Sequence, residues 1–194
     1  GYIKRLNTNT YRQQRRGGRG VTAMTTKQED FVEQLFITTT HHYLMVFTNK
    51  GRAYRLKVHE IPEAGRQAKG TAIVNLLSLT GDDKVAAVIP VKEYTDDLYL
   101  FMATAKGVVK KSVLSEYDSS RRDGLIAINL DDDDELIGVK LTNGSEEIIL
   151  STSKGAAIRF NEEDVRPMGR ATRGVRGITL ELGDRVVSMD SMQE

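Results

Sequence analysis

The chain has 194 residues, with hydrophobic and charged fractions of 39% and 28% that are ordinary for a globular protein of one β domain or two small ones. The absence of cysteine excludes disulfides, thiolate metal sites and a cysteine nucleophile, and no apolar run reaches the roughly 18 residues of a membrane-spanning helix. The net charge is +1, but residues 1–70 carry 13 Lys or Arg against 5 Asp or Glu, and this asymmetry favours a polyanion-binding region near the N-terminus.

The predicted strands fall into a repeat that is marked by a glycine turn. Each full copy of the turn lies between an apolar run and an alternating run, an arrangement typical of a β-hairpin. The copies are, in chain order, Gly1 alone, Thr48-Asn49-Lys50-Gly51, Thr104-Ala105-Lys106-Gly107 and Thr152-Ser153-Lys154-Gly155, with 48 to 56 residues between successive glycines. A unit of about 50 residues with roughly four short strands is typical of a propeller blade. An open β-sandwich is the alternative, but it would not need the same charge at the same phase of every unit.

We therefore predict an all-β, propeller-like fold built from four-stranded antiparallel blades, with about four repeat units in the chain. All of residues 1–194 are expected to form one domain. Its repeat units are predicted at about 1–47, 48–103, 104–151 and 152–194.

Basic side chains recur at two fixed positions of the unit. The first row, four residues after the turn glycine, comprises Arg5, Arg55, Lys111 and Arg159. The second row, fifteen residues after it, comprises Arg16, Arg66, Arg122 and Arg170, reinforced by Arg19, Lys69 and Arg173. Side chains at one phase of a radial array share a radius and a height, so the pattern predicts two basic rows that suit the phosphates of a bent duplex. The alternative, surface ion pairs with Glu60, Glu116 and Asp164, would add little stability.

The most specific motif is the heptapeptide Gln14-Arg15-Arg16-Gly17-Gly18-Arg19-Gly20. Its three guanidinium groups and three glycines predict a loop in which backbone N–H groups and arginine forks approach phosphate closely. It is not a nucleotide-binding P-loop, because no Gly-Lys-Ser/Thr follows.

This heptapeptide resembles the GyrA box, the signature of the C-terminal domain of DNA gyrase A. The resemblance extends along the whole chain, through segments such as TNKGRAYRLKVHEIPEAGRQAKGTAIVNLL and VRPMGRATRGVRGITL. It implies a β-pinwheel, a propeller variant whose blades exchange strands, with double-stranded DNA wrapped around its basic rim. It also implies a non-catalytic part of a bacterial, cytoplasmic, nucleoid-associated topoisomerase, partnered by gyrase B and by the N-terminal region of gyrase A. The resemblance implies no cofactor, metal site or membrane contact for this chain, since ATP and Mg²⁺ act in other domains.

The sequence departs from that family in one respect. The family domain usually has six blades, so either the chain is truncated or this homologue has a smaller domain. Two alternatives stay open: the related DNA-binding domain of topoisomerase IV, whose box is degenerate or absent, and a protein-interaction propeller resembling WD-repeat scaffolds. The absence of tryptophan removes the Trp-Asp signature of the latter. His41 and His42 predict no metal site, because adjacent strand residues point to opposite faces.

Overall fold

The computed structural model describes residues 2–5, 23–25, 33–37, 42–61, 71–77, 79, 81–119 and 124–193. The regular structure in these ranges is almost entirely β, with one five-residue α-helix (Ile73–Leu77) and three 3-10 turns (Val58–Glu60, Leu114–Tyr117 and Glu162–Asp164). No helix in them is both long enough and apolar enough to cross a membrane. The strands are β1 Tyr2–Arg5, β2 Ala23–Thr25, β3 Glu33–Ile37, β4 Tyr43–Thr48, β5 Arg52–Lys57, β6 Thr71–Ala72, β7 Val85–Val91, β8 Tyr99–Thr104, β9 Val108–Val113, β10 Leu125–Ile126, β11 Leu136–Thr142, β12 Glu147–Thr152, β13 Ala157–Asn161, β14 Val175–Arg176 and β15 Val186–Met192.

Within the described ranges the strands form four sheets. The first three have four strands each, in the orders β2-β3-β1-β6, β10-β5-β4-β7 and β11-β8-β9-β14, and the fourth has the order β13-β12-β15. The all-β, propeller-like architecture of about four repeat units is therefore confirmed. One pairing differs from the antiparallel expectation, because β1 pairs with β3 in parallel. In the third sheet the equivalent strands, β9 and β11, both run antiparallel to β8 between them, so they too share one direction.

The recurring Thr-x-x-Gly motif forms the turn of each hairpin. In the third sheet the Gly107 amide donates to the Thr104 carbonyl (3.0 Å), and the Val108 amide donates to the Thr104 hydroxyl (3.1 Å). The same two bonds form at the turns of Gly51 and Gly155. All three glycines have φ between +81° and +90°, a region that other residues rarely adopt. The motif therefore encodes a turn that needs both the threonine oxygens and a glycine.

Successive repeats exchange a two-residue strand. Each short strand follows the second glycine of its own repeat and pairs with the hairpin of the preceding repeat: β6 with β1, β10 with β5 and β14 with β9. Just beyond β14, the amides of Gly177 and Ile178 both donate to the Gly107 carbonyl, at 2.8 and 3.3 Å. Ala127 and Ile128 make the equivalent bonds to the Gly51 carbonyl, at 2.7 and 3.3 Å. The exchange of strands between blades, which the resemblance implied, is thus visible in the backbone hydrogen bonds.

The chain divides into two compact units: residues 1–45, 56–83 and 90–93 form one, and residues 46–55, 84–89 and 94–194 form the other. The expectation that 1–194 is a single domain stays a prediction. In the second unit the third and fourth sheets share a buried apolar cluster, made by Phe101, Ala103, Val109, Ile148, Leu150, Val165, Val186 and Met189. Strand β9 lies deep in this unit, since Val109, Lys110 and Ser112 are all completely buried.

Replacing Gly107 with alanine should destabilise the second unit more than replacing Gly155. Both residues have positive φ, which costs alanine about 1–2 kcal/mol. A Cβ at Gly107 would also lie 2.7 Å from the Ile178 carbonyl oxygen, whereas a Cβ at Gly155 would meet nothing within 4 Å. Urea unfolding should therefore give a loss for Gly107→Ala that exceeds the loss for Gly155→Ala by about 1–3 kcal/mol. Equal losses would contradict the close contact between Ile178 and the turn at Gly107.

Candidate nucleic-acid interface

The first predicted row of cations is mostly engaged with carboxylates of the protein. Arg55 Nη1 donates to Asp118 Oδ1 at 2.8 Å, its side chain is 16% exposed, and its guanidinium lies 5.6 Å from the centre of the Tyr94 ring. Arg159 Nε donates to Glu147 Oε2 at 3.2 Å, but 59% of this arginine side chain stays exposed. Arg159 is thus better placed for an outside ligand than Arg55.

Lys111 does not lie on the surface, and the prediction that its side chain belongs to an exposed row is wrong. The side chain is 5% exposed, and its Nζ donates to the Glu162 carbonyl at 2.9 Å and lies 4.0 Å from Glu162 Oε1. Glu162 is completely buried and accepts hydrogen bonds from Thr142, Gly144 and Glu146. Lys111 therefore balances a buried carboxylate and is not accessible to DNA.

The burial of β9 explains this error. The alternating pattern predicts that one face of a strand is covered and that the basic face is open to solvent. Lys110 and Lys111 point to opposite faces, yet they are 0% and 4% exposed. In a strand covered on both faces, alternation does not distinguish inside from outside.

The second row contributes Arg170 and Arg173, which lie in the loop 169–174. Arg170 is half-buried, and its Nη1 donates to the Ile126 carbonyl at 2.5 Å. Arg173 is 74% exposed, with its Nη1 3.5 Å from Asp131 Oδ1. Arg170 thus helps to fix the loop, whereas Arg173 projects from it.

The loop 169–174 is docked along β9 and leads directly into the exchanged strand β14. On its N-terminal side, the Met168 amide donates to the Lys111 carbonyl (2.8 Å) and the Met168 carbonyl accepts from the Ser112 hydroxyl (2.8 Å). On its C-terminal side, the Thr172 carbonyl accepts from the Asn129 amide at 2.9 Å. Gly174 packs so closely that an added Cβ would lie 2.4 Å from the Val109 carbonyl oxygen. The loop therefore has a defined position against β9.

Sequence reasoning missed two exposed arginines at this loop, Arg166 and Arg176. Arg176 and Arg173 line a cleft of about 250 Å³ together with Asn129, Asp131 and Asp134. Arg176 could have been found from the segment that follows the second glycine, where Val175-Arg176 occupies the exchanged strand. Among the described residues, the candidate interface is thus centred on Arg173 and Arg176.

The acidic residues Asp134 and Asp184 have a structural role in two of the hairpin turns. Asp134 and Asp184 each accept a hydrogen bond from the amide of the turn lysine, Lys106 or Lys154, at 3.0 Å. Although burial acts to raise it, hydrogen bonds from Thr152, Ser153 and nearby amides lower the pKa of Asp184 to about 2. The two carboxylates hold the turns of Gly107 and Gly155 against the segments that precede β11 and β15.

Several predicted residues lie outside the described ranges. They are the heptapeptide Gln14 to Gly20, Arg66, Lys69 and Arg122. Arg5 is described only as a backbone position in β1. Their assignment to DNA binding stays a prediction.

The repeat pattern and the exchanged strands agree with a known family. A family model described as "DNA gyrase C-terminal domain, beta-propeller" matches residues 1–39, 42–92, 98–143 and 146–191. The chain belongs to this family. Its four matched segments follow the four repeat units, so the gyrase C-terminal domain family accounts for nearly all of the sequence.

Curated relatives and solved structures agree with this assignment. The chain is 58% identical to the DNA gyrase A protein of Clostridium acetobutylicum over 91% of its own length, and 54% identical to that of Halalkalibacterium halodurans over 92%. It spans only about a fifth of these relatives, 21% and 22%. The crystal structure of a topoisomerase IV C-terminal domain matches with a TM-score of 0.81 and 31% identity, covering 100% of this chain and 59% of that one. A DNA gyrase A C-terminal domain matches with a TM-score of 0.64 and 28% identity, covering 88% and 55%.

The burial of Lys110 predicts that the stability of the second unit depends on pH. Burial lowers the pKa of Lys110 to about 7, an effect that Glu116 opposes and Arg170 reinforces. Between about pH 7 and 10 the unfolded chain then binds more protons than the folded chain, so this residue makes the free energy of unfolding rise with pH. The stability of the wild type relative to Lys110→Met should therefore rise by roughly 1 kcal/mol per pH unit from about pH 7 to about pH 9. Urea unfolding at these pH values measures the difference in the free energy of unfolding between the two proteins. A difference that does not change with pH would contradict a lowered pKa of Lys110.

Proposed function

We propose that this chain is the DNA-wrapping domain of a DNA gyrase A protein. In this function it bends duplex DNA around a basic rim, so that the holoenzyme introduces negative supercoils in an ATP-dependent reaction. The chain itself performs no catalysis and acts with gyrase B and with the N-terminal region of gyrase A in the bacterial cytoplasm. The observation that carries the proposal is the loop 169–174, which is docked by backbone hydrogen bonds and presents Arg173 beside the exposed Arg176.

The chemistry of this loop suits phosphate rather than a base edge. Arginine forks bind phosphate oxygens bidentately, and contacts of this kind give affinity without reading sequence. The loop occupies the same phase of its repeat as the heptapeptide Gln14 to Gly20, which carries three arginines. Phosphate contacts on successive repeats would offset a bending cost on the order of 1–6 kcal/mol for a site of 20–30 bp.

The second candidate is the corresponding domain of topoisomerase IV. A TM-score of 0.81 to a topoisomerase IV C-terminal domain favours it. Identities of 58% and 54% to gyrase A proteins, together with an intact heptapeptide, favour gyrase. A topology assay on the holoenzyme that carries this chain separates them, because supercoiling of a relaxed circle supports gyrase, and relaxation or decatenation alone supports topoisomerase IV.

Replacing Arg15, Arg16 and Arg19 with alanine should abolish wrapping and supercoiling while the domain stays folded. The matched control replaces Lys57, Lys84 and Lys92, three exposed cations outside both predicted rows, and removes the same net charge. The linking-number change on a relaxed circle measures the effect. Supercoiling that survives in the first variant, or that falls equally in both, would contradict the proposed role of the heptapeptide.

The described arginines predict a change in salt dependence. Each phosphate that the protein neutralises contributes about −0.9 to the slope of log affinity against log salt. Arg173→Ala with Arg176→Ala should therefore make the slope for a duplex of about 150 bp shallower by about 2, as measured by fluorescence anisotropy. Lys111→Met should leave the slope unchanged, because Lys111 faces Glu162. An unchanged slope in the arginine double variant would remove these residues from the interface.

A further inference from the structure

A completely buried lysine lies at the base of the loop 169–174. Lys110, in β9, is 0% exposed, and its Nζ donates to the hydroxyl of Tyr117 at 3.1 Å, to the carbonyl of Arg170 at 2.5 Å and to the carbonyl of Ala127. The Tyr117 hydroxyl donates in turn to the Ala127 carbonyl at 3.0 Å. A protonated lysine has three N–H donors, so each donor has an acceptor here.

The position of this lysine is unfavourable for stability alone. Removing an ammonium group from water carries a large desolvation cost, and a strand that lies in an apolar core has no need of a cation. Two of the three acceptors are main-chain carbonyls of segments without regular hydrogen-bonded structure, and one of them is 60 residues away in the chain. The three contacts therefore serve to join segments to β9.

The segment that gains most from these contacts is the loop 169–174. Its flanks are fixed at Met168 and at Thr172 by backbone and hydroxyl bonds. Between them, Lys110 holds the Arg170 carbonyl, while Arg170 reaches back to the Ile126 carbonyl next to Ala127. Lys110 and Arg170 thus form one hydrogen-bonded cluster, which connects the loop 169–174 to the end of β10 and to the next residue, Ala127.

We propose that Lys110 is a positioning residue for DNA binding: it fixes the Arg170 main chain so that Arg173 and Arg176 are presented to phosphate together. Lys110 itself touches no DNA, because it is completely buried. This inference rests on the proposed function, since the position of the loop affects binding only if the loop contacts phosphate.

The neighbouring Lys111 supplies a matched control. It is the next residue of the same strand, it is also buried, and it is also hydrogen-bonded to a main-chain carbonyl. That carbonyl belongs to Glu162, in the turn after β13, whose carboxylate is bonded to Thr142 and to the amide of Glu146. Lys111→Met therefore removes a buried lysine without removing the tether of Arg170.

Limited digestion with trypsin tests the tether without DNA. Trypsin cleaves after Arg170 and Arg173, and the rate reports how often the loop leaves its docked position. In Lys110→Met the cleavage at these two sites should be at least about tenfold faster than in the wild type, whereas Lys111→Met should cleave there at close to the wild-type rate. Equal rates in Lys110→Met and the wild type would overturn the positioning role.

The absence of cysteine allows a chemical rescue. Lys110→Cys can be alkylated in denaturant with 2-bromoethylamine, in which the thiolate displaces bromide and leaves a side chain that ends in an amine at nearly the length of lysine. After refolding, the alkylated protein should recover the slow cleavage, and the unalkylated Lys110→Cys should not. Failure of the rescue in a protein with native circular dichroism would also overturn the proposal.

Binding to a duplex of about 150 bp connects the tether to function. Lys110→Met should lower the affinity about tenfold and make the salt slope shallower by about 2, with recovery in the alkylated Lys110→Cys and no change in Lys111→Met. If the wild type binds and Lys110→Met binds identically, the positioning role is wrong. If the wild type itself does not bind the duplex at low salt, the proposed function is wrong, and the trypsin result still decides the tether.

Discussion

Two amides of one repeat donate hydrogen bonds to a single carbonyl in the turn of the preceding repeat, and the rest of the described structure depends on this contact. The Gly107 carbonyl receives the amides of Gly177 and Ile178, and the Gly51 carbonyl receives those of Ala127 and Ile128. The contact requires glycine on the accepting side, because a Cβ at Gly51 or Gly107 would lie 2.7 Å from a backbone oxygen. In the fourth repeat this contact lies just after the exchanged strand β14, where Arg176 and the preceding Arg173 are exposed.

The same exchange explains why the cations of the third and fourth repeats differ in exposure. Lys110 and Lys111 lie in a strand that is covered on both faces. Lys110 therefore donates to a loop carbonyl, and Lys111 donates to the carbonyl of a buried glutamate. Arg173 and Arg176 lie where the incoming segment turns along the surface, so their side chains stay accessible. Fixing the backbone of a loop while leaving its guanidinium groups exposed is a sound arrangement for phosphate, because little entropy is lost on binding.

The sequence predicted the parts of the structure that depend on local geometry. The Thr-x-x-Gly turns follow from the positive φ of Gly51, Gly107 and Gly155, and the repeat length led to the blade-like sheets. The burial of Lys111 could not be predicted, because it depends on a partner 51 residues away, and a basic residue in an alternating strand normally faces solvent. Nothing in the sequence indicated the contacts of Lys110, because its carbonyl acceptors are main-chain groups, which any residue type supplies. Periodicity thus locates a position in the repeat, and tertiary contacts decide what the side chain there does.

Native-state hydrogen exchange of the Gly177 and Ile178 amides tests the strand exchange most directly. Both amides are bonded to the Gly107 carbonyl, in a segment that otherwise has little regular structure. If this contact holds the repeats together, the two amides should exchange only on unfolding of the whole unit, with protection close to its free energy of unfolding. Exchange as fast as in the exposed turn at Leu182 would contradict the account.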